Sequence, residues 1–80
     1  MSDRALKELL EYIVSKLVDR PDQMKVEAFD EDDGLVLELS VDSEDMGKVI
    51  GRQGRVAQAL RQVMRAAGMR DDRRVVVEIV

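Results

Sequence analysis

Apolar residues recur at intervals of three and four over residues 3–19 of the chain. This spacing is typical of a helix that buries one face, and it predicts a helix from Asp3 to Asp19. Because the residue before a proline disfavours the helical conformation, the helix is expected to end at Arg20-Pro21. The predicted buried face consists of Leu6, Leu9, Leu10, Ile13, Val14, Leu17 and Val18.

Three later segments alternate apolar and polar residues, which is the pattern of half-buried β-strands. They span Gln23–Phe29, Leu35–Val41 and Arg74–Val80. The run from Asp30 to Gly34 separates the first two, and its acidic residues and glycine are typical of a turn. These two strands are therefore expected to form an antiparallel hairpin.

The segment between the second and third strands predicts two helices joined by a glycine-bearing turn. Asp42 or Ser43 can cap a short helix that ends at Ile50. The turn lies at Gly51–Gly54, and a longer helix follows from about Arg55 to Ala67. The next residue is a glycine, which is a natural stop at the C-terminal end of a helix.

The order of elements predicts the topology. A strand, a helical crossover and a second strand of one sheet run parallel with a right-handed connection, so the third strand is expected to lie parallel to the second. We predict a two-layer α+β fold of order αββααβ, in which three helices cover one face of a three-stranded mixed sheet. One domain spans residues 1–80, and its predicted core contains Leu6, Leu10, Ile13, Leu17, Val26, Leu37, Leu39, Val56, Leu60, Val75 and Val77.

The composition narrows the possible functions. The chain contains no cysteine and no histidine, which removes disulfides, the usual zinc ligands and the side chain best suited to proton transfer near neutral pH. We therefore expect no catalysis, metal, cofactor or small-molecule substrate. The N-terminus is charged and no segment approaches transmembrane length, so a cytoplasmic protein without membrane association is expected.

The charge is distributed unevenly along the chain. Its net value is -4, yet residues 1–45 carry 5 basic and 14 acidic side chains while residues 46–80 carry 8 basic and 3 acidic ones. No acid occurs between Met46 and Gly68, a stretch that contains five cations. Such a polarised chain can bind an anionic partner through one end despite its negative total, although a solvated helix face would explain the cations as well.

The stretch MGKVIGRQGRVAQAL places Gly47, Gly51 and Gly54 within eight residues. A glycine inside a helix costs about 1 kcal/mol relative to alanine, so helix stability does not explain them. Glycine lets a phosphate approach the main chain, and the start of the following helix adds a partial positive charge. Gly51 and Gly54 could also serve only to shape the turn, and Gly47 is expected to allow close packing of helix on strand.

The segment Val49–Arg55, VIGRQGR, in this order of elements resembles a KH domain of the type II arrangement. The stretches LVDRPDQMKVE and DMGKVIGRQGRVAQALR are similar to the small bacterial proteins that consist of one KH domain. The resemblance implies a single-stranded RNA-binding module, an RNA chaperone or post-transcriptional regulator, whose G-x-x-G loop clamps about four nucleotides of backbone. The candidate RNA-binding residues are Lys48, Val49, Ile50, Gly51, Arg52, Gln53, Gly54 and Arg55.

Several residues near this motif have two interpretations. Val49 and Ile50 could pack in the core, or they could line an apolar groove for bases, as the resemblance implies for Ile50. Arg61 and Arg65 are explained by a solvated helix face and stay outside the predicted site. The turn Asp30–Asp33 either borders the RNA and repels its phosphates or points away as a solubility device.

The longer helix is apolar around about half its circumference, which is wider than a one-sided helix needs. Ala59, Val63 and Ala66 form one margin of that surface and predict a homodimer. The resemblance implies both self-association and pairing with a longer KH-containing protein involved in post-transcriptional control and cell-envelope growth. The alternative function is a protein-interaction module that contacts RNA only incidentally. Nucleotide hydrolysis is rejected, because Arg55 follows Gly54 where a phosphate-binding P-loop requires lysine.

Overall fold

The αββααβ order is confirmed by a computed structural model that describes residues 1–80. Three single-turn 3-10 helices occupy Pro21–Gln23, Ser43–Asp45 and Arg52–Gly54. None of the helices has the length and the apolar run that crossing a bilayer requires. The regular elements are α1 (Asp3–Ser15), β1 (Lys25–Glu31), β2 (Gly34–Ser40), α2 (Met46–Ile50), α3 (Arg55–Met69) and β3 (Val75–Ile79).

The three strands form one mixed sheet in the order β1-β2-β3. β1 and β2 pair antiparallel, whereas β2 and β3 pair parallel, as the crossover predicts. In the middle of the sheet Leu37 lies opposite Ala28 on one side and Val77 on the other. Because β3 is at the end of the order, one of its edges is free.

The core lies between the sheet and the helices. Burial confirms eight of the eleven predicted core residues, and the prediction is wrong for Leu17, Ile13 and Val56. Leu17 is 38% exposed, while Ile13 and Val56 are only partly buried at the margin of the core. The buried cluster consists of Leu6, Leu10, Val14, Val18, Val26, Leu35, Leu37, Leu39, Val49, Leu60, Met64, Val75 and Val77.

Leu17 is exposed because α1 ends at Ser15, four residues before the predicted end. Beyond this point the chain turns, and the main-chain N–H groups of Asp19 and Arg20 donate to the carboxylate of Asp45 at 3.1 and 3.0 Å. This carboxylate lies 25 and 26 residues away along the chain. A long-range hydrogen bond thus replaces the last turn that local periodicity predicts.

The elements around the hairpin and α3 also differ from the prediction. β1 begins at Lys25 and extends to Glu31, which reduces the turn to Asp32 and Asp33. Gly68 lies inside α3 and is not its stop. A Cβ atom at Gly68 would overlap the carbonyl oxygen of Arg73, so close approach of the chain before β3 explains this glycine.

Arg73 fixes the entry to β3. Its guanidinium donates two hydrogen bonds to Asp3 at 3.1 and 3.0 Å and one to Asp30 at 2.6 Å. These contacts join the first turn of α1 to the β1–β2 hairpin and to the segment before β3. The arginine is therefore a structural tie at the α1 end of the domain.

Candidate nucleic-acid interface

The loop Gly51–Gly54, called the glycine loop below, has an unusual backbone. Three of its four residues have positive φ: Gly51 (φ 76°), Gln53 (φ 57°) and Gly54 (φ 75°). The N–H groups of Gly51 and Gly54 already donate to the carbonyl oxygens of Gly47 and Gly51 at 2.8 and 3.1 Å, so neither is available to an anion. The glycine loop joins α2 to α3. At its end Gly54 is the N-cap residue of α3, and no side chain caps this helix.

The two glycines of the loop differ in the space around their Cα atoms. A Cβ atom at Gly51 would overlap the side chain and the main-chain nitrogen of Val56, whereas a Cβ atom at Gly54 would meet nothing within 4 Å. Gly51 therefore closes the turn against α3, and Gly54 leaves an open surface. Gly47 also has nothing within 4 Å, so the prediction that it permits close helix-to-strand packing is wrong.

The N-terminus of α3 faces the glycine loop and is positively polarised. The first N–H groups of a helix have no acceptor within the helix, and the helix dipole adds about half a positive charge there. Arg52, Gln53 and Arg55 are exposed around this end, and the Arg55 guanidinium donates to the side-chain oxygen of Gln53 at 3.4 Å. The N–H of Arg55 donates to the carbonyl oxygen of Arg52, so the arrangement attracts an anion through the full charges of the arginines and the dipole of α3.

Lys48 is held differently from the two arginines. Its ammonium contacts the carboxylate of Asp19 and lies 3.7 Å from that of Asp45. The hydrogen bond to Asp19 and the two negative charges raise the pKa of Lys48, despite the opposing effect of desolvation. A phosphate would have to compete with two carboxylates for this cation.

Asp45 directly precedes α2 and is almost completely buried, with 1% of its surface exposed. Burial by itself raises the pKa of a carboxylate. The N–H groups of Asp19 and Arg20, together with the positive charges of Lys48 and Arg20, outweigh burial and lower the pKa of Asp45 below its ordinary value. The buried carboxylate is therefore ionised and ties the start of α2 to the segment before β1.

The structure separates the two apolar candidates of the motif. Val49 is fully buried and belongs to the core cluster, so its side chain takes the packing role of its two interpretations. Ile50 is 38% exposed at the end of α2, next to the glycine loop. Of the two, only Ile50 offers an apolar surface to a ligand.

A groove of about 550 Å³ runs between α3 and the free edge of β3. Its helix side carries Arg61, Arg65 and Met69, and its strand side carries Val76 and Val77 among others. The Arg61 Nε donates to the carbonyl oxygen of Val77 at 3.4 Å, which places this guanidinium against the unpaired strand edge. We call this feature the arginine groove.

Sequence reasoning left Arg61 and Arg65 outside the site. They lie four residues apart, hence on one face of α3, but a cationic face alone is also typical of a solvated helix. What distinguishes them is the free edge of β3 beside them, which follows from the strand order. The acid-free character of the stretch was the signal that could have included them.

The acidic turn lies far from the glycine loop. Asp30 contacts Arg73, and Gly68 packs against the same segment, so the turn is near the C-terminal end of α3. The glycine loop is at the other end of this helix, whose 15 residues span about 22 Å. Since this separation exceeds the Debye length of about 8 Å at physiological ionic strength, the acids scarcely affect a phosphate at the loop.

The predicted self-association margin is solvent-exposed along α3. Ala59, Val63 and Ala66 are exposed, and Val63 retains 46% of its accessible surface. At 100° per residue these side chains lie on the opposite flank of the helix from Arg61 and Arg65. A contact through this margin would leave the arginine groove open.

No acidic residues gather into a group that could hold a metal ion.

Comparison with known proteins identifies the family. Residues 7–79 match the family model described as "KhpA/KhpB, KH domain". Among similar proteins called "RNA-binding protein KhpA", that of Clostridium acetobutylicum is 51% identical over 94% of this chain and 100% of its own length. The Bacillus subtilis protein is 44% identical over 99% and 98%, and that of Aquifex aeolicus is 43% identical over 95% and 96%. The chain therefore belongs to the KhpA/KhpB family of KH domains.

Proposed function

We propose that this protein binds single-stranded RNA by holding the phosphate backbone at the glycine loop. The observation that carries the proposal is the convergence of three positive-φ residues, an uncapped helix N-terminus and two exposed arginines in one acid-free loop. The arginines and the helix dipole favour an anion, and the bare backbone at Gly54 lets a phosphate approach. The name of the relatives, RNA-binding protein, agrees with RNA as the source of that phosphate.

The RNA then continues along α3 into the arginine groove. Arg61 and Arg65 supply further phosphate contacts, while Met69 and Val76 offer apolar surface to bases. The two aromatic residues of the chain, Tyr12 and Phe29, lie outside the groove on α1 and β1. No aromatic ring is available for stacking there. Because phosphate contacts carry no sequence information, sequence preference is expected to be weak.

The proposed role is that of a non-catalytic RNA chaperone or post-transcriptional regulator in the bacterial cytoplasm. A single short site without stacking aromatics gives modest affinity, so a second KH domain is needed for tight binding through avidity. That domain comes from a second copy or from a longer KH-containing protein. Lys48 stays a candidate contact, subject to competition from Asp19 and Asp45.

The test replaces Arg52 and Gln53 together by Asp and measures affinity for short single-stranded RNAs by fluorescence anisotropy. The swap changes the charge by three units beside the phosphate path, so most of the affinity should disappear. Both residues are exposed, and circular dichroism should show an unchanged fold. A folded double variant with undiminished affinity would contradict the proposal and favour the protein-interaction module.

A matched control makes the same chemical change elsewhere. Arg4 and Gln23 are exposed on α1 and on the first 3-10 helix, outside the glycine loop. Replacing both by Asp also changes the charge by three units. If the loss at the glycine loop reflects local contacts, this control should keep nearly all of the RNA affinity. An equal loss in both variants would mean that net charge alone governs binding.

We also propose that the protein self-associates through Ala59, Val63 and Ala66. The exposure of Val63 between two small side chains favours this contact, because small residues let another helix approach closely. Light scattering should show a dimer for the unmutated chain and a monomer for Val63→Asp. The control Gln58→Asp lies about 80° or more around the helix from each of these side chains and should remain dimeric. A monomer at high concentration for the unmutated chain would overturn this proposal without touching the RNA site.

A further inference from the structure

The face of the sheet opposite the helices is uncovered. Side chains on this open sheet face alternate along each strand with those of the core. Strand register aligns them into rows that cross all three strands. Two neighbouring rows matter here: the apolar row Phe29, Val36 and Val76, and the acidic row Glu27, Glu38 and Glu78.

The acidic row is unfavourable within the isolated chain. Glu38 lies directly opposite Glu27 on one side and Glu78 on the other, and like charges in opposite positions destabilise a sheet. Lys25 pairs with Glu27 at 2.6 Å, but no cation of the chain pairs with Glu38 or Glu78. The row also does not form a metal-holding cluster.

Two of the three side chains in the apolar row beside it are exposed, and Val36 between them is half-buried. Phe29 keeps 42% and Val76 keeps 40% of its accessible surface, and Phe29 is the only phenylalanine of the chain. Parallel strands are normally covered on both faces, yet the parallel pair β2–β3 is covered on one. Exposed apolar surface rimmed by charge is typical of a docking site for another protein.

We propose that the open sheet face binds a cationic amphipathic helix of a partner protein. The apolar side chains of that helix would cover the apolar row, and its lysines or arginines would pair with the acidic row. Charge decides the class of partner, because three glutamates in a row repel RNA. This interface lies on the far side of the sheet from α3 and leaves the glycine loop free, while Val76 is shared with the edge of the arginine groove.

The dimensions of the two rows suit a helix that lies across the strands. Three strands at a spacing of about 4.8 Å place the outer glutamates about 10 Å apart. Cations at positions i, i+4 and i+7 of a helix span about 10 Å along its axis and lie on one face. The acidic and apolar rows are about 7 Å apart, which matches two adjacent stripes on a helix about 10 Å wide.

A second copy of this chain fits less well. Arg61 and Arg65 of its helix α3 line the arginine groove of their own chain, where the Arg61 guanidinium donates to the carbonyl oxygen of Val77.

The test titrates isotopically labelled protein with a synthetic amphipathic helix of about 18 residues, long enough to be partly helical alone. The peptide carries a leucine stripe flanked by lysines, and a control peptide replaces each lysine by glutamate. Nuclear magnetic resonance should show shifts of the amides in the apolar and acidic rows when the basic peptide is added, and no such shifts with the acidic control peptide. Glu38→Gln/Glu78→Gln should weaken that binding at least about fivefold, since it removes two ion pairs.

Matched variants and RNA binding distinguish this site from the others. Glu8→Gln/Glu11→Gln removes two acids from α1 and should leave peptide affinity unchanged, while Glu38→Gln/Glu78→Gln should keep its RNA affinity. Absence of shifts on the sheet, equal binding of the acidic peptide, or undiminished binding to Glu38→Gln/Glu78→Gln would overturn the proposal. The proposal would also be overturned if, in the absence of peptide, the amide shifts of the open sheet face changed with protein concentration. Such a change would assign the face to a second copy of the chain.

Discussion

Replacing Gly51 by Ala should destabilise the fold far more than the same change at Gly54. Gly51 has φ 76° and ψ 174°, a region that is nearly restricted to glycine, and a side chain there costs about 1–3 kcal/mol. The new Cβ would also overlap Val56, and overpacking of this kind costs about 1–3 kcal/mol more. The total of about 2–6 kcal/mol is a large part of the roughly 4–12 kcal/mol expected for a chain of this length.

Gly54 provides the matched comparison within the same loop. Its φ of 75° and ψ of 15° are left-handed helical, and a Cβ atom would meet no neighbour within 4 Å, so Gly54→Ala should cost about 1–2 kcal/mol. Urea unfolding of both variants, followed by circular dichroism, measures the two free energies. A loss for Gly51→Ala no larger than that for Gly54→Ala would refute the tight turn against Val56.

Three further outcomes follow from the sheet and the buried carboxylate. Glu38→Gln should raise the free energy of unfolding by about 0.2–1 kcal/mol in thermal denaturation, because it removes like charges opposite Glu27 and Glu78. Leu37→Ala should lower it by about 2–5 kcal/mol in urea, because Leu37 is fully buried at the centre of the sheet. Asp45 has a lowered pKa in the fold, so its stabilisation is present above the unfolded pKa of about 3.9 and is lost as the pH falls through the folded pKa. Urea unfolding from pH 7 to below 4 should therefore show a steeper decline for the unmutated chain than for Asp45→Asn.

The alternating and helical patterns predict the architecture because they reflect burial against one sheet. Val26, Leu37 and Val77 lie on the inner face as their period of two requires. The end of α1 was not predictable in this way. The Asp45 carboxylate that replaces the last turn is remote in sequence, and Leu17 keeps its helical spacing although it lies outside the helix.

The candidate site was predictable where local chemistry defines it and not where folding assembles it. The glycines and arginines of the loop are adjacent in sequence, so their pattern is sufficient to nominate them. The pairing of Lys48 with Asp19 joins residues 29 positions apart and was not visible. Arg61 and Arg65 similarly acquire significance only beside the free edge of β3, which depends on the strand order.

The salt dependence of RNA affinity tests the central claim most directly. Each phosphate contact on a single strand contributes about -0.7 to the slope of log affinity against log salt concentration. If Arg52, Arg55, Arg61 and Arg65 each hold one phosphate, the slope should be about -2.8, and Arg61→Gln/Arg65→Gln should reduce it to about -1.4. Anisotropy titrations with one short RNA at several salt concentrations give both values. A slope near zero for the unmutated protein would contradict backbone binding, and an unchanged slope in the double variant would contradict the path along α3.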